Sequence, residues 1–171
     1  LLEQRTLAET FDFSYLGAAD GAFTMRPDSE MPADYDPRSR PWFKGAREAG
    51  RTILTSPYVD AATGALIMTI ATPAGAGVVG GDLNLQTISR IINALDFNGM
   101  GYAFMVSSDG TILVHPNADL QMKTLSEIYP RNTPRIERSL SEAELDGQPR
   151  LLTFLPVAGL PGADWYVGLS I

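Results

Sequence analysis

Two stretches of this chain, FSYLGAADGAFTMRP at 13–27 and YAFMVSSDGTILVHP at 102–116, lie 89 residues apart and match in outline. Both carry aromatic residues at their first and third places, Asp-Gly at the same offset, and proline at the end. Asp-Gly between alternating apolar runs signals a β-hairpin, because tight primed turns need positive φ. The chain therefore reads as two copies of one hairpin unit, the mark of an internal duplication.

The segments after the two hairpins also correspond. After the first, a polar loop leads to a helix over 39–49 and strands over 53–60, 65–72 and 77–83. After the second, NADLQMKTLSEIYP precedes a helix near 134–145 and strands near 148–156 and 164–170. Between the halves, LNLQTISRIINALDF places apolar residues at 85, 88, 91, 92 and 95, and this helical period predicts a helix over 84–96. The expected fold class is α+β: two modules, each an antiparallel sheet flanked by helices, joined by that helix.

Composition removes several functions. A formal charge of -7 argues against nucleic acid, which needs a basic face to neutralise phosphates. The absence of cysteine removes disulfides, thiol catalysis and thiolate metal sites. One histidine cannot build a typical zinc site alone, so neither a metal nor a cofactor is expected. His115 has no serine or cysteine nucleophile arranged around it and reads as structural. Asp60 and Asp82 as a glycosidase pair would leave a cationic clamp idle, so no enzyme and no catalytic residue is expected. The most apolar stretch, LLTFLPVAGLPGADWYVGLSI, is broken by Pro156, Gly159, Pro161, Gly162 and Asp164 and reads as two strands, not a membrane span. There is no signal peptide at the start, and LLEQRTLAET reads as the tail of a longer helix in a longer parent chain.

The chemistry gathers in the first half. In DYDPRSRPWFKGA, Pro41 suits the first position of a helix, whose start offers free N–H groups and the positive end of the dipole. Arg40 adds a planar fork that pairs with a carboxylate, and the Tyr35 hydroxyl adds a donor. The plainer alternative is that Arg38 and Arg40 bridge to Asp34 and Asp36. In SPYVDAATG, Tyr58 and Asp60 stand two apart on a strand and leave the same face, although an acid before a Thr-Gly turn is often simply solvated. In GVVGGDLNL, Asp82 is costly inside an apolar strand unless paired; it either caps the following helix or faces a cationic ligand. Arg40, Tyr35 and Trp42 on one wall and Tyr58, Asp60 and Asp82 on the other complement a zwitterion. Trp42 and Tyr58 offer cation–π faces to its ammonium group. Met25, Met68 and Ile70 are candidates for lining the same cavity.

At these residues the chain resembles a double Cache sensor, the extracytoplasmic ligand-binding region of bacterial chemoreceptors and other transmembrane signalling proteins. PADYDPRSRPWFKGA, SPYVDAATG and GVVGGDLNL resemble its amino-acid-binding subset. The resemblance implies two PAS-like Cache modules: 1–10 as the end of a long helix, 11–97 as the membrane-distal, ligand-binding module, and 98–171 as the membrane-proximal one. It also implies that Tyr35, Arg40 and Trp42 handle the ligand carboxylate, and Tyr58, Asp60 and Asp82 its amino group. The parent would be a membrane-spanning, homodimeric methyl-accepting chemotaxis protein that senses L-amino acids in the periplasm. The alternatives are an amine, polyamine or GABA sensor, or the sensor of a histidine kinase or diguanylate cyclase. Two departures stand out: the first helix is represented only by its last turns, and the hairpin IATPAGAGVV is short. The second module lacks the clamp, since Arg131, Arg135 and Arg138 have no neighbouring tryptophan, and no ligand is expected there.

Overall fold

The computed structural model describes residues 5–95, 97–145 and 147–171. The chain divides into two compact units, Leu1–Leu85 with Pro161–Ala163, and Gln86–Leu160 with Asp164–Ile171. The first contains helix α1 (Arg5–Thr10), strands β1 (Ser14–Gly17) and β2 (Phe23–Arg26), helix α2 (Pro41–Ala49), and strands β3 (Ile53–Leu54), β4 (Tyr58–Val59), β5 (Leu66–Ala74) and β6 (Gly77–Asn84). The second contains, from its second residue, most of α3 (Leu85–Asn93), then β7 (Tyr102–Ser107), β8 (Ile112–Val114), α4 (Leu125–Ile128), β9 (Ser141–Leu145), β10 (Gln148–Pro156) and β11 (Trp165–Ser170).

Each unit is built on one antiparallel sheet, and the two sheets share a strand order. The first runs β2-β1-β6-β5-β3, with β4 also paired to β5, and the second runs β8-β7-β11-β10-β9. In both, the first strand of the opening hairpin pairs with the last strand of its unit. The α+β architecture of duplicated modules is thus present.

The two opening hairpins turn in the same way, though not by the expected two-residue turn. The Ala18 N–H bonds to Ala22 O and the Gly21 N–H to Ala18 O, while the Ser107 N–H bonds to Thr111 O and the Gly110 N–H to Ser107 O. Only the glycine takes positive φ, +95° at Gly21 and +84° at Gly110. The aspartate instead accepts the N–H two residues on, from Ala22 to Asp20 and from Thr111 to Asp109. This is a three-residue loop ending in a left-handed glycine, where aspartate serves by its side chain and glycine by its φ.

Three further expectations need correction. The helix near 134–145 is absent: Ser141–Leu145 is strand β9, paired with β10 from Gln148↔Leu145 to Leu152↔Ser141. Ala143 and Leu145 are buried while Glu142 and Glu144 are exposed, a period of two that outweighs helix propensity. Arg131, Arg135 and Arg138 therefore lie before a strand. The strand over 53–60 is split into β3 and β4, with Pro57, which has no N–H to donate, in the gap. The helix over 84–96 covers Leu85–Asn93; Asp96 lies outside the described residues, as do the first four residues of the expected N-terminal helix tail. The short 70–79 hairpin pairs in register down to Ala74↔Gly77 around Gly75 at φ +59°.

Helix α2 packs into the core of the first unit. Arg40 precedes it with extended backbone, Pro41 occupies its first turn, and Gly50 ends it at φ +63°. Its buried face is Trp42, Phe43 and Ala46, which pack with Tyr15, Met25, Ala71 and Val78. Gly17 permits this packing, because a Cβ there would lie 2.7 Å from Cη2 of Trp42. Replacing so deeply buried an indole by alanine costs about 3–5 kcal/mol.

Candidate functional site

A cleft opens on the first sheet. It is lined by all six sequence-selected residues, Tyr35, Arg40, Trp42, Tyr58, Asp60 and Asp82. The loop before α2 brings Tyr35 and Arg40, the first turn of α2 brings Trp42, β4 and the turn after it bring Tyr58 and Asp60, and β6 brings Asp82.

The two arginines of the opening motif part company. Arg38 forms an ion pair with Asp36 at 2.8 Å, so the plainer reading holds for it. That pair, with an added N–H from Arg38, holds the Asp36 carboxyl below the usual carboxylate range. Arg40 has no acidic partner among the described residues. Its guanidinium donates to the backbone oxygen of Val59 at 2.7 Å and lies 5.4 Å from the Tyr58 ring centre. The Tyr58 face expected to meet a ligand ammonium is thus taken by Arg40. Trp42 is almost wholly buried, with Tyr15 4.7 Å from it centre to centre.

Asp60 serves its own turn and the cleft at once. Its Oδ2 accepts from the Thr63 N–H at 2.9 Å and from the Thr63 hydroxyl at 2.6 Å. Asp82 is only 2% exposed and does not cap α3. Its Oδ1 accepts from Thr69 at 2.7 Å and from the Tyr15 hydroxyl. No described residue pairs an opposite charge with it. Burial pushes its carboxyl up to about 6; the bonds from Tyr15 and Thr69 pull it down, and the charges of Asp60 and Asp12 push it up further. Burial also raises Tyr35 to about 12, against the effect of Trp42 and Arg40. Tyr15 and Tyr58 are raised too, chiefly by burial and then by the charge of Asp82.

Two polar residues of this group escape sequence reasoning. Tyr15 lines the cleft, and Thr69 stands opposite Asp82 in the β5–β6 register. Tyr15 reaches Asp82 because Gly80 lies beneath its ring, where any Cβ would collide. Its place is visible in the sequence as the third residue of the first hairpin motif. The remaining wall is Phe23, Met25, Met31 and Ala61. Met68 and Ile70 do not line it: with Thr69 facing Asp82, strand alternation turns its neighbours to the other side. Outside this unit, His115 is buried, accepts the Asn117 N–H at 3.0 Å and meets the Tyr102 ring edge-on, a structural setting.

The cleft thus has a cation at one wall and two carboxylates without a cationic partner among the described residues at another. Among the described residues there is no cluster able to hold a metal ion and no helix long and apolar enough to cross a membrane. The dCache_1 family model, Cache domain, matches residues 2–171, and the chain belongs to that family. It is 59% identical over 176 residues to the methyl-accepting chemotaxis protein PctB of Pseudomonas aeruginosa, covering all of this chain and 28% of that protein. The chain thus spans under a third of the length of that curated relative. The ligand-binding domain of PctB in complex with L-Arg superposes with a TM-score of 0.91, covering 99% of this chain and 75% of that one. The ligand-binding domain of the Pseudomonas fluorescens chemoreceptor CtaA in complex with L-isoleucine is 54% identical, with a TM-score of 0.90 over 99% of this chain and 72% of that one.

Proposed function

We propose that the first unit binds a free L-α-amino acid as a zwitterion, and that the chain is the extracytoplasmic sensor of a membrane-spanning methyl-accepting chemotaxis receptor. The observation that carries this is the unpaired state of Arg40 and Asp82 around one cleft. A buried carboxylate without a counter-ion is costly, and a ligand ammonium group supplies that counter-ion. Arg40, with Tyr35 beside it, takes the carboxylate, and the start of α2 adds a favourable dipole. Asp60 joins Asp82 on the ammonium side. The likeness to the domains of PctB and CtaA, which are in complex with L-Arg and L-isoleucine, supports this reading.

Function here is binding without covalent change. A ligand that neutralises both poles favours whichever arrangement of the unit brings them closest, and that difference in affinity is the signal. The parent receptor acts as a homodimer with the sensor in the periplasm. A thermal-shift and calorimetric panel of the twenty L-amino acids, GABA and putrescine tests the assignment. At about 100 times the dissociation constant a ligand adds about 2.7 kcal/mol of stability. One or more L-amino acids should raise the melting temperature and putrescine should not; the reverse pattern would make this an amine sensor.

A further inference from the structure

We propose that Thr69 is a positioning residue of this site: its hydroxyl accepts from Tyr58 and donates to Asp82, beside the second donor Tyr15, and so presents the Asp82 carboxylate to the ligand's ammonium group. This rests on the amino-acid reading above. Thr69 is fully buried on β5, directly across from Asp82 on β6. Its oxygen lies 2.6 Å from the Tyr58 hydroxyl, 2.9 Å from the Tyr15 hydroxyl and 2.7 Å from Asp82 Oδ1. A hydroxyl has one proton to give, and an ionised carboxylate has none. Thr69 and Tyr15 therefore both donate to Oδ1, and Tyr58 donates to Thr69. The proton order is fixed from Tyr58 inward, and Oδ2 is left to the cleft.

Every group around Asp82 leaves that carboxylate uncompensated. Tyr15 on β1, Tyr58 on β4 and Thr69 on β5 are neutral, and Asp12 before β1 and Asp60 after β4 carry its own sign. Arg40 is engaged by Val59 O and the Tyr58 ring, and Tyr35 is neutral. Protonated Asp82 cannot serve as counter-ion, so ligand binding expels its proton. Affinity should be full above the carboxyl's titration and fall about tenfold per pH unit below it. Thr69 has a second role here, because its donated bond favours the charged form. Loss of the hydroxyl should both weaken binding and move the acid-side fall to higher pH.

The experiment uses Thr69→Val and Thr69→Ser in two arms. In the ligand-free protein, carbon-13 carboxyl NMR follows the Asp82 titration, with Asp82→Asn assigning the resonance. Calorimetry with L-alanine, L-glutamine and L-isoleucine between pH 5 and 8 then reads affinity. Thr69→Val should raise the Asp82 midpoint and weaken binding about tenfold or more at pH 7, whereas Thr69→Ser should stay near wild type in both. An unchanged midpoint or affinity in Thr69→Val overturns the proposal, as does a serine variant as impaired as the valine one, which would assign the effect to the methyl group. Should Thr69→Val not fold, Tyr15→Phe removes the other donor to Oδ1 and is held to the same upward shift. If wild type binds none of the amino acids, the proposed function falls, while the NMR arm still decides the role of Thr69.

Discussion

The two sheets of this chain are built alike and filled differently. Tyr15 on β1 is matched 89 residues later by Phe104 on β7, and each ring lies over a glycine of the neighbouring strand, Gly80 or Gly168, where a Cβ would collide. Two residues beyond those glycines stand Asp82 and Ser170, both buried. Across the register, Asp82 faces Thr69 and Ser170 faces Leu152. The first unit thus has tyrosine, threonine and aspartate where the second has phenylalanine, leucine and serine. In the second, Phe104 and Leu152 join Val106, Ile112, Leu145 and Phe154 in a continuous apolar core, and the Ser170 hydroxyl finds no partner among the described residues. One scaffold tolerates either filling. The polar filling gives up packing to keep a charge that no described residue neutralises, the departure from the most stable core that the proposed binding site would need.

The largest effects should come from emptying the charged positions. Arg40→Ala and Asp82→Ala should each weaken amino-acid binding by at least about 100-fold in calorimetry, since a pole of a zwitterion is then buried without its partner. Retained affinity in either variant would break the contrast between the units. Next is the reciprocal change. Ser170→Asp places in the second unit the carboxylate of the first without Tyr15 or Thr69 to hold it, and should destabilise by about 3 kcal/mol in denaturant titration at pH 7. The loss should shrink toward pH 4, where the carboxyl is protonated.

Asp82→Asn should have a smaller and opposite effect on stability. The folded-state carboxyl titrates at about 6, above its ordinary 3.8, so Asp82 favours folding fully only below about pH 4 and loses that contribution as pH rises through 6. The asparagine variant should therefore melt a few degrees above ligand-free wild type at pH 7.5, with the gap closing in acid, and should bind no amino acid. The smallest change is Tyr15→Phe, which gives the first unit the ring of the second. It should cost several-fold in affinity at neutral pH, less than Thr69→Val, because Thr69 keeps both its bond to Asp82 and its bond from Tyr58.

Much of this is legible in the sequence because the repeat and the charges are local signals. The matched hairpins, Pro41 before Trp42, and Asp82 within an apolar strand lie in short readable stretches. The features that escape a sequence reading depend on pairing between distant strands. Tyr15 and Thr69 become site residues only once β1, β5 and β6 lie side by side, and Gly80 shows its purpose only under the Tyr15 ring. The strand Ser141–Leu145 reads as a helix in sequence because its charged residues are good helix formers. Its alternation, Ala143 and Leu145 in with Glu142 and Glu144 out, shows its meaning against β10.

A crystal structure with a saturating L-amino acid tests the central claim most directly. The account predicts one ligand per chain, in the first unit, its carboxylate on Arg40 and its amino group on Asp82 Oδ2, with the core around Phe104, Leu152 and Ser170 unoccupied. A ligand seated in the second unit, or one whose amino group lies away from Asp82, would contradict it.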